Sequence, residues 1–231
     1  MSHPLRSKPI VAIDGPAGAG KSTVARRLAV RLGYTLVDTG ALYRAVALAA
    51  TERGIAWDDD ARLGPLCGAI VIQLETTADG ATRLLLDGRD RSADIRTPEM
   101  SRGASAVSAR GPVRAALLGM QRDLGKAGGV VLEGRDIGTV VFPDAEVKVF
   151  LTASPEERAR RRTEELRARG LAADFAETLA EVVARDAQDS TRAIAPLRCA
   201  DDALRVDSTG VPVDELVDRL ARVVEERAER G

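Results

Sequence analysis

Residues Gly15 to Ser22 read GPAGAGKS, directly after the apolar run PIVAID (9–14) and at the head of the helical pattern KSTVARRLAVRL. Few folds accommodate that order. Glycines at 15, 18 and 20 let backbone N–H groups curl around an anion without Cβ clashes, and a helix beginning at Lys21 adds its positive dipole end. The spacing is that of the G-x-x-x-x-G-K-[ST] phosphate loop, in the strand–loop–helix context that loop requires. Gly15, Pro16, Ala17, Gly18, Ala19, Gly20, Lys21, Ser22 and Thr23 are therefore the expected contacts of a nucleoside triphosphate. Lys21 is placed to reach the β- and γ-phosphates and Ser22 to hold Mg²⁺, with Thr23 beside it.

The rest of the chain fits a sheet around that loop. Besides PIVAID, β-rich runs occur at YTLVD (34–38), GVVLE (129–133), EVKVFLTA (146–153) and ALRVDS (203–208). Most are continuously apolar, which predicts strands buried on both faces. Between most of them lie helical patterns: GALYRAVALAATERG, PVRAALLGMQRDLGK and SPEERARRRTEELRARG, with VPVDELVDRLARVVEERAER closing the chain. Such alternation predicts an α/β fold on a parallel sheet. Residues 70–96 break the pattern: IVIQLE alternates, Asp79-Gly80 supplies a turn, and TRLLLDG returns, predicting a hairpin in a small β-rich insert. No long repeat and no polar linker divides the 231 residues, so a single domain with insertions is expected.

Composition narrows the function. The 34 Lys and Arg nearly cancel the 35 Asp and Glu, which argues against a basic scaffold for a nucleic-acid polymer. The two cysteines, Cys67 and Cys199, lie far apart with no CxxC pairing, so neither a zinc site nor a disulfide framework is expected. Histidine acid-base chemistry is nearly excluded, because the only histidine, His3, sits in a polar leader. IVAI after that leader is too short for a signal core or a membrane span. The expectation is a cytoplasmic protein, off the membrane, and a monomer, since no exposed apolar repeat demands a partner.

What is done with the triphosphate is read from the arginines. No NKxD motif for guanine and no hydrophobic strand ending in a lone Walker-type Asp is evident. Arg44, Arg114, Arg135, Arg185 and Arg192 instead fall at expected element ends. The guanidinium fork suits phosphate, and several forks suit an enzyme that brings two anions together. A nucleoside monophosphate is such an acceptor: with a second pKa near ~6 it is largely a dianion and needs no strong base. Arg160, Arg161, Arg167 and Arg169 read as solvated helix charges paired with glutamates, while Arg158 and Arg162 remain candidates to come over ATP when a lid closes. Gly-Arg-Asp occurs twice, and the first copy, Gly88-Arg89-Asp90, follows a turn signal and reads as turn chemistry.

GPAGAGKST, VDTGALYRAVA, EGRDIGTVVFPDAEVKVFLTAS, ERARRR and ARDAQDSTRAIAPL together resemble the bacterial cytidylate (CMP) kinase family, from about Pro9 to the last helix. That resemblance implies a phosphate-loop fold with a five-stranded parallel sheet flanked by helices. It also implies a monophosphate-binding insert at about 63–105 and a short helical lid at about 155–172. The implied reaction is ATP with CMP or dCMP to ADP with CDP or dCDP, with Mg²⁺. Carried over residue by residue, Arg44, Arg135 and Arg192 hold the CMP phosphate or the transferring group, beside Lys21. Ser105, Arg114 and Asp136 recognise cytosine with Thr39 close by, and Arg185 and Asp189 contact the sugar. Thr39 stands where relatives often have Ser, and Ser22 where many nucleotide kinases have Gly. Kinases for UMP, AMP or shikimate, and a phosphate-loop switch that does not transfer phosphate, are the alternatives.

Overall fold

A computed structural model of the chain describes residues 6–77 and 82–229. His3 and the Asp79-Gly80 turn lie outside the described residues.

β1 (Ile10–Asp14) leads through the phosphate loop into α1 (Lys21–Leu32), and β2 (Thr35–Asp38) runs directly into α2 (Thr39–Glu52). Asp38 caps α2 by accepting from Ala41 N at 3.0 Å, which turns the chain sharply at the strand's carboxyl end. α3 (Asp60–Ala69) precedes β3 (Ile72–Thr76), β4 (Thr82–Leu86) and the two-residue β5 (Arg89–Asp90). α4 (Pro98–Ser108) and α5 (Gly111–Gly125) follow, then β6 (Val130–Gly134), a single π-helical turn at Ile137–Val141, and β7 (Val147–Thr152). α6 (Pro155–Ala168), α7 (Phe175–Thr191), β8 (Leu204–Asp207) and α8 (Val213–Ala228) complete the described chain.

The large sheet is parallel throughout, in the order β2-β6-β1-β7-β8. β1 and β6 at its centre are buried at every residue, in register from Ile10 against Val130 to Asp14 against Gly134. α1 and α8 cover one face, where Val24, Leu28, Leu216 and Leu220 pack on Val11, Val131 and Val149. Burial on both faces does not extend outward. β7 alternates, with Lys148 and Phe150 on its half-buried side, and β8 is an edge strand with Arg205 exposed. An edge strand needs only one covered face, so its sequence can carry charge.

The expected hairpin is the β3/β4 pair of a separate three-stranded antiparallel sheet, ordered β3-β4-β5. The turn from β4 into β5 is Asp87-Gly88, both left-handed at φ 51 and 76. Arg89 and Asp90 are thus not turn residues but a short third strand paired with Leu86 and Leu85, and the Arg83–Asp90 ion pair at 2.8 Å lies in solvent. This sheet rests on α2, α3, α4 and α5 through Leu63, Leu84, Leu86, Val107 and Val113. Trp57 joins two of those helices: its Nε1 donates to Ala47 O of α2 at 3.2 Å, and a Cβ at Gly103 of α4 would lie 2.8 Å from its ring.

Candidate active site

The carboxyl ends of β1, β2 and β6 converge where the strand order reverses on either side of β1, the usual ligand position in open α/β sheets. Gly15 leaves β1 at φ 152, and a Cβ there would sit 1.9 Å from Leu151 O, so the loop can run this close to β7 only with glycine. Lys21 is buried, and its Nζ donates to Pro16 O at 2.7 Å. Burial, and next to it the Arg135 charge, hold this ammonium down to about 7. Ser22 and Thr23 are exposed at the mouth of the loop.

Opposite Lys21 stands a carboxylate that the sequence reading passed over. Glu133 is the penultimate residue of β6, is buried, and its Oε1 has no hydrogen-bond partner among the described residues. Burial and the nearby Asp38 raise its pKa, while Lys21 and a hydrogen bond with Ser22 oppose the rise. An acidic residue at the end of an apolar strand is therefore present, as Glu rather than Asp. Thr39, buried at the start of α2, donates from Oγ1 to Glu133 O at 2.7 Å. Asp38 pairs with Arg44 at 2.7 Å, leaving Arg44 Nε without a partner among the described residues.

The second Gly-Arg-Asp differs from the first in every respect that matters. It ends a buried central strand, and Arg135 and Asp136 point to different neighbours. Arg135 donates from Nε to Asp189 Oδ2 of α7 at 2.9 Å. Asp136 is buried and pairs with Arg114 of α5 and, at 3.6 Å, with Arg192. Burial raises Asp136 above the ordinary carboxylate range even though Arg114 and Arg192 resist it. Arg114 also donates to Ser108 O at 3.2 Å and lies 5.7 Å over the Tyr43 ring. Arg192 is oriented by its Nε bond to Ala195 O at 2.6 Å, where Ala195 takes a left-handed φ of 49.

Positive charge accumulates here beyond what the carboxylates balance. Burial, then Arg135, Arg44 and Arg162, lower Arg185 to about 10, and its Nε has no partner among the described residues. Burial and Arg114 likewise lower Arg192. Guanidiniums that depress one another are held close by the fold without enough counter-charge, and an anion placed among them would supply it.

α6 and α7 pack side by side against the loop. Arg158, expected at the nucleotide, is buried with its N–H groups on protein acceptors: Ala153 O at 3.0 Å, Ala17 O at 3.1 Å and both oxygens of Asp186 at 2.9 and 2.5 Å. Arg162 is half-buried and pairs with Glu165 at 3.1 Å. Arg161 is not merely a solvated charge. Besides Glu157 it donates to Ser208 Oγ at 3.0 Å and Ser208 O at 2.7 Å, and Ser208 donates in turn to Ala19 O. Arg160 and Arg169 pair with glutamates of α6 as expected, whereas Arg167 donates to Ala173 O just beyond the helix at 3.1 and 2.9 Å. Ser105 on α4 donates to Gln188 Oε1 of α7 at 3.1 Å.

Fold and loop define a phosphate-loop α/β protein with a cluster of arginines and carboxylates beside the loop. A family model described as Cytidylate kinase matches residues 11–226, and the chain belongs to that family. It is 56% identical over 222 residues to the cytidylate kinase of Geobacter sp. strain M21, covering 96% of this chain and 95% of the relative. It is 54% identical over 227 residues to that of Geobacter sulfurreducens, covering 98% and 97%. A crystal structure of an uncharacterized protein from Eubacterium ventriosum is similar in fold, with a TM-score of 0.53, 13% identity, and coverage of 94% of this chain and 99% of that one.

Proposed function

We propose that the chain transfers the γ-phosphoryl group of ATP to CMP and dCMP, forming ADP with CDP or dCDP. The observation that carries this reading is the cluster of Arg44, Arg135, Arg185 and Arg192 beside a loop built for a triphosphate, in which Arg44 Nε, Arg185 Nε and Arg192 Nη2 have no hydrogen-bond partner among the described residues.

The phosphate loop, with Gly15 to Thr23, cradles the donor through backbone N–H groups, and Lys21 bridges toward the transferring group. Mg²⁺ takes few protein ligands and keeps several waters. The exposed Ser22 hydroxyl and the unpartnered Glu133 oxygen suit it, and the ion would neutralise charge on the β- and γ-phosphates. Arg44, Arg135 and Arg192 hold the acceptor phosphate in line, while Arg185 and Asp189 reach the sugar. No general base is required of the protein, because the acceptor arrives largely as a dianion. Rate enhancement comes from positioning and charge neutralisation.

Base selection rests on the Asp136–Arg114 pair, with Ser105 and Thr39 beside it. The Asp136 carboxylate accepts from the cytosine amino group, and the Arg114 guanidinium donates toward N3 or O2. Uracil reverses the pattern at the 4-position and N3, which leaves buried polar groups unpaired. Residues 63–105 are the monophosphate-binding insert. Residues 155–172 form the lid, in which Arg158 braces the loop and Arg162 approaches the donor, excluding water that would hydrolyse ATP. Among the described residues no helix is long and apolar enough to cross a membrane. The enzyme acts as a cytoplasmic monomer on small molecules and not on a nucleic-acid polymer.

A coupled assay offering ATP with CMP, dCMP, UMP, AMP or shikimate tests the reading. ADP formation is expected with CMP and dCMP first. Its absence with CMP overturns the proposal, and absence with every acceptor while ATP still binds indicates a switch.

A further inference from the structure

Two side chains outside the expected site residues hold the ends of the π-helical turn that directly follows Arg135 and Asp136. Asp14 closes β1 one residue before the phosphate loop and is buried. Its Oδ1 accepts from Ile137 N and its Oδ2 from Gly138 N, both at 2.8 Å. Paired charge-assisted bonds to successive backbone N–H groups fix that peptide in both place and direction. At the other end Arg122 of α5, partly exposed, donates from Nε to Val141 O and from Nη2 to Val140 O, each at 3.1 Å. The π-helical turn between them is a rare conformation, of a kind that recurs at functional sites.

A buried carboxylate is expensive to desolvate, and burial raises Asp14 to about 6 despite the two donors. The sheet does not need that charge, since β1 is already bonded on both sides by β6 and β7. What the charge does is join the strand that carries the phosphate loop to the turn that directly follows Arg135 and Asp136. We infer that Asp14 is a positioning residue, clamping the acceptor turn to the donor loop and fixing the distance between the two phosphates, with Arg122 as the clamp at the far end. A misplacement of about 1 Å between reacting groups costs up to ~10²-fold in rate, so such a clamp matters to the chemistry although it touches none of it.

This inference rests on the CMP-kinase reading, and the wild-type enzyme run in parallel separates the two: no CMP-dependent ADP from wild type overturns the reading itself. Asp14→Asn keeps the shape but presents an NH₂ to one of two N–H donors. Circular dichroism establishes that it folds, calorimetry gives the Kd for CMP and for a non-hydrolysable ATP analogue, and initial rates give kcat and KM for CMP and UMP. The expected result is a rise of about tenfold or more in Kd and KM for CMP, a lower kcat and a reduced CMP-over-UMP ratio, with analogue binding within about twofold of wild type. Arg122→Gln, on a partly exposed helix position, moves the same quantities in the same direction by a smaller factor. A lower melting temperature with unchanged KM, Kd and CMP-over-UMP ratio in both variants overturns the inference. Equal losses for analogue and CMP also overturn it, by assigning Asp14 to the loop alone.

Discussion

Arg135 and Asp189, 54 residues apart, are joined by a 2.9 Å hydrogen bond between Nε and Oδ2 that ties the end of the central strand β6 to helix α7. Burial alone would raise Asp189, but Arg135 and Arg185 overcome it and hold the carboxyl below the ordinary range. The carboxylate is therefore a counter-ion of these guanidiniums. In Asp189→Asn the arginines lose it. The variant is expected to melt lower than wild type, to gain more in melting temperature from added sulfate or phosphate, and to show a KM for CMP raised by about tenfold. Thermal melts across a sulfate titration, with initial rates, check this.

Lys21 gives a prediction whose sign depends on pH. With its pKa near 7 in the folded chain and 10.5 as the model-compound value, the folded state binds fewer protons between those limits. Wild-type stability is thus free of the penalty above about pH 10.5, loses ground as pH falls, and carries the full penalty below about pH 7. Lys21→Met removes the titration. It is expected to abolish turnover while raising the melting temperature of the ligand-free protein, most at neutral pH and least near pH 10. Melts from pH 6.5 to 10 measure the difference.

The same depressed pKa predicts proton uptake on nucleotide binding. A polyphosphate beside Lys21 restores the charged form, so at pH 8, where the Lys21 amine is mostly neutral before binding, binding of the ATP analogue should take up close to one proton. Calorimetry in buffers of different ionisation enthalpy reads this directly, and Lys21→Met should abolish it.

Asp136→Asn keeps the size of the buried side chain but loses the charge shared by Arg114 and Arg192. The expected outcome is a CMP-over-UMP preference reduced by about tenfold or more, with much less effect on the Kd of the ATP analogue. Competition of CMP and UMP at fixed ATP supplies the ratio.

Gly15→Ala puts a methyl carbon where Leu151 O already stands. Relief requires β1 and β7 to part at the point where the loop begins, at a cost of about 3 kcal/mol or more. A large drop in melting temperature, together with lost nucleotide binding, is the expected result.

Much of this was legible in the sequence, for identifiable reasons. The central strands β1 and β6 were readable because strands buried on both faces are continuous apolar runs, β2, β7 and β8 through their shorter β-rich stretches, and α1 because it must begin at the loop's lysine. α3, α4 and α7 carry no such pattern. Pro65 lies inside α3, α4 is built largely of small residues, and the buried side of α7 includes Thr178 and Asp189 with Val182. α7 is nonetheless the helix that presents Arg185, Asp186 and Asp189 to the site, so polarity on the buried side, which hid it, is what its position demands. Glu133 and Asp14 were missed because each ends an apolar run and reads as a strand terminus. Their meaning depends on β6 and β1 lying side by side, which no local pattern reveals. Arg161 was hidden for the opposite reason, since Glu157 four residues before it explains it adequately until Ser208 arrives from a distant strand.

Trp57 is the chain's only tryptophan, and it sits between α2 and α4. The protein thus carries a built-in optical probe at one address. Emission from that indole reports how the three-stranded sheet and its helices ride on α2, uncontaminated by signal from the nucleotide loop. A spectral shift on adding CMP alone would time the insert's own rearrangement separately from events at the donor, with no label attached.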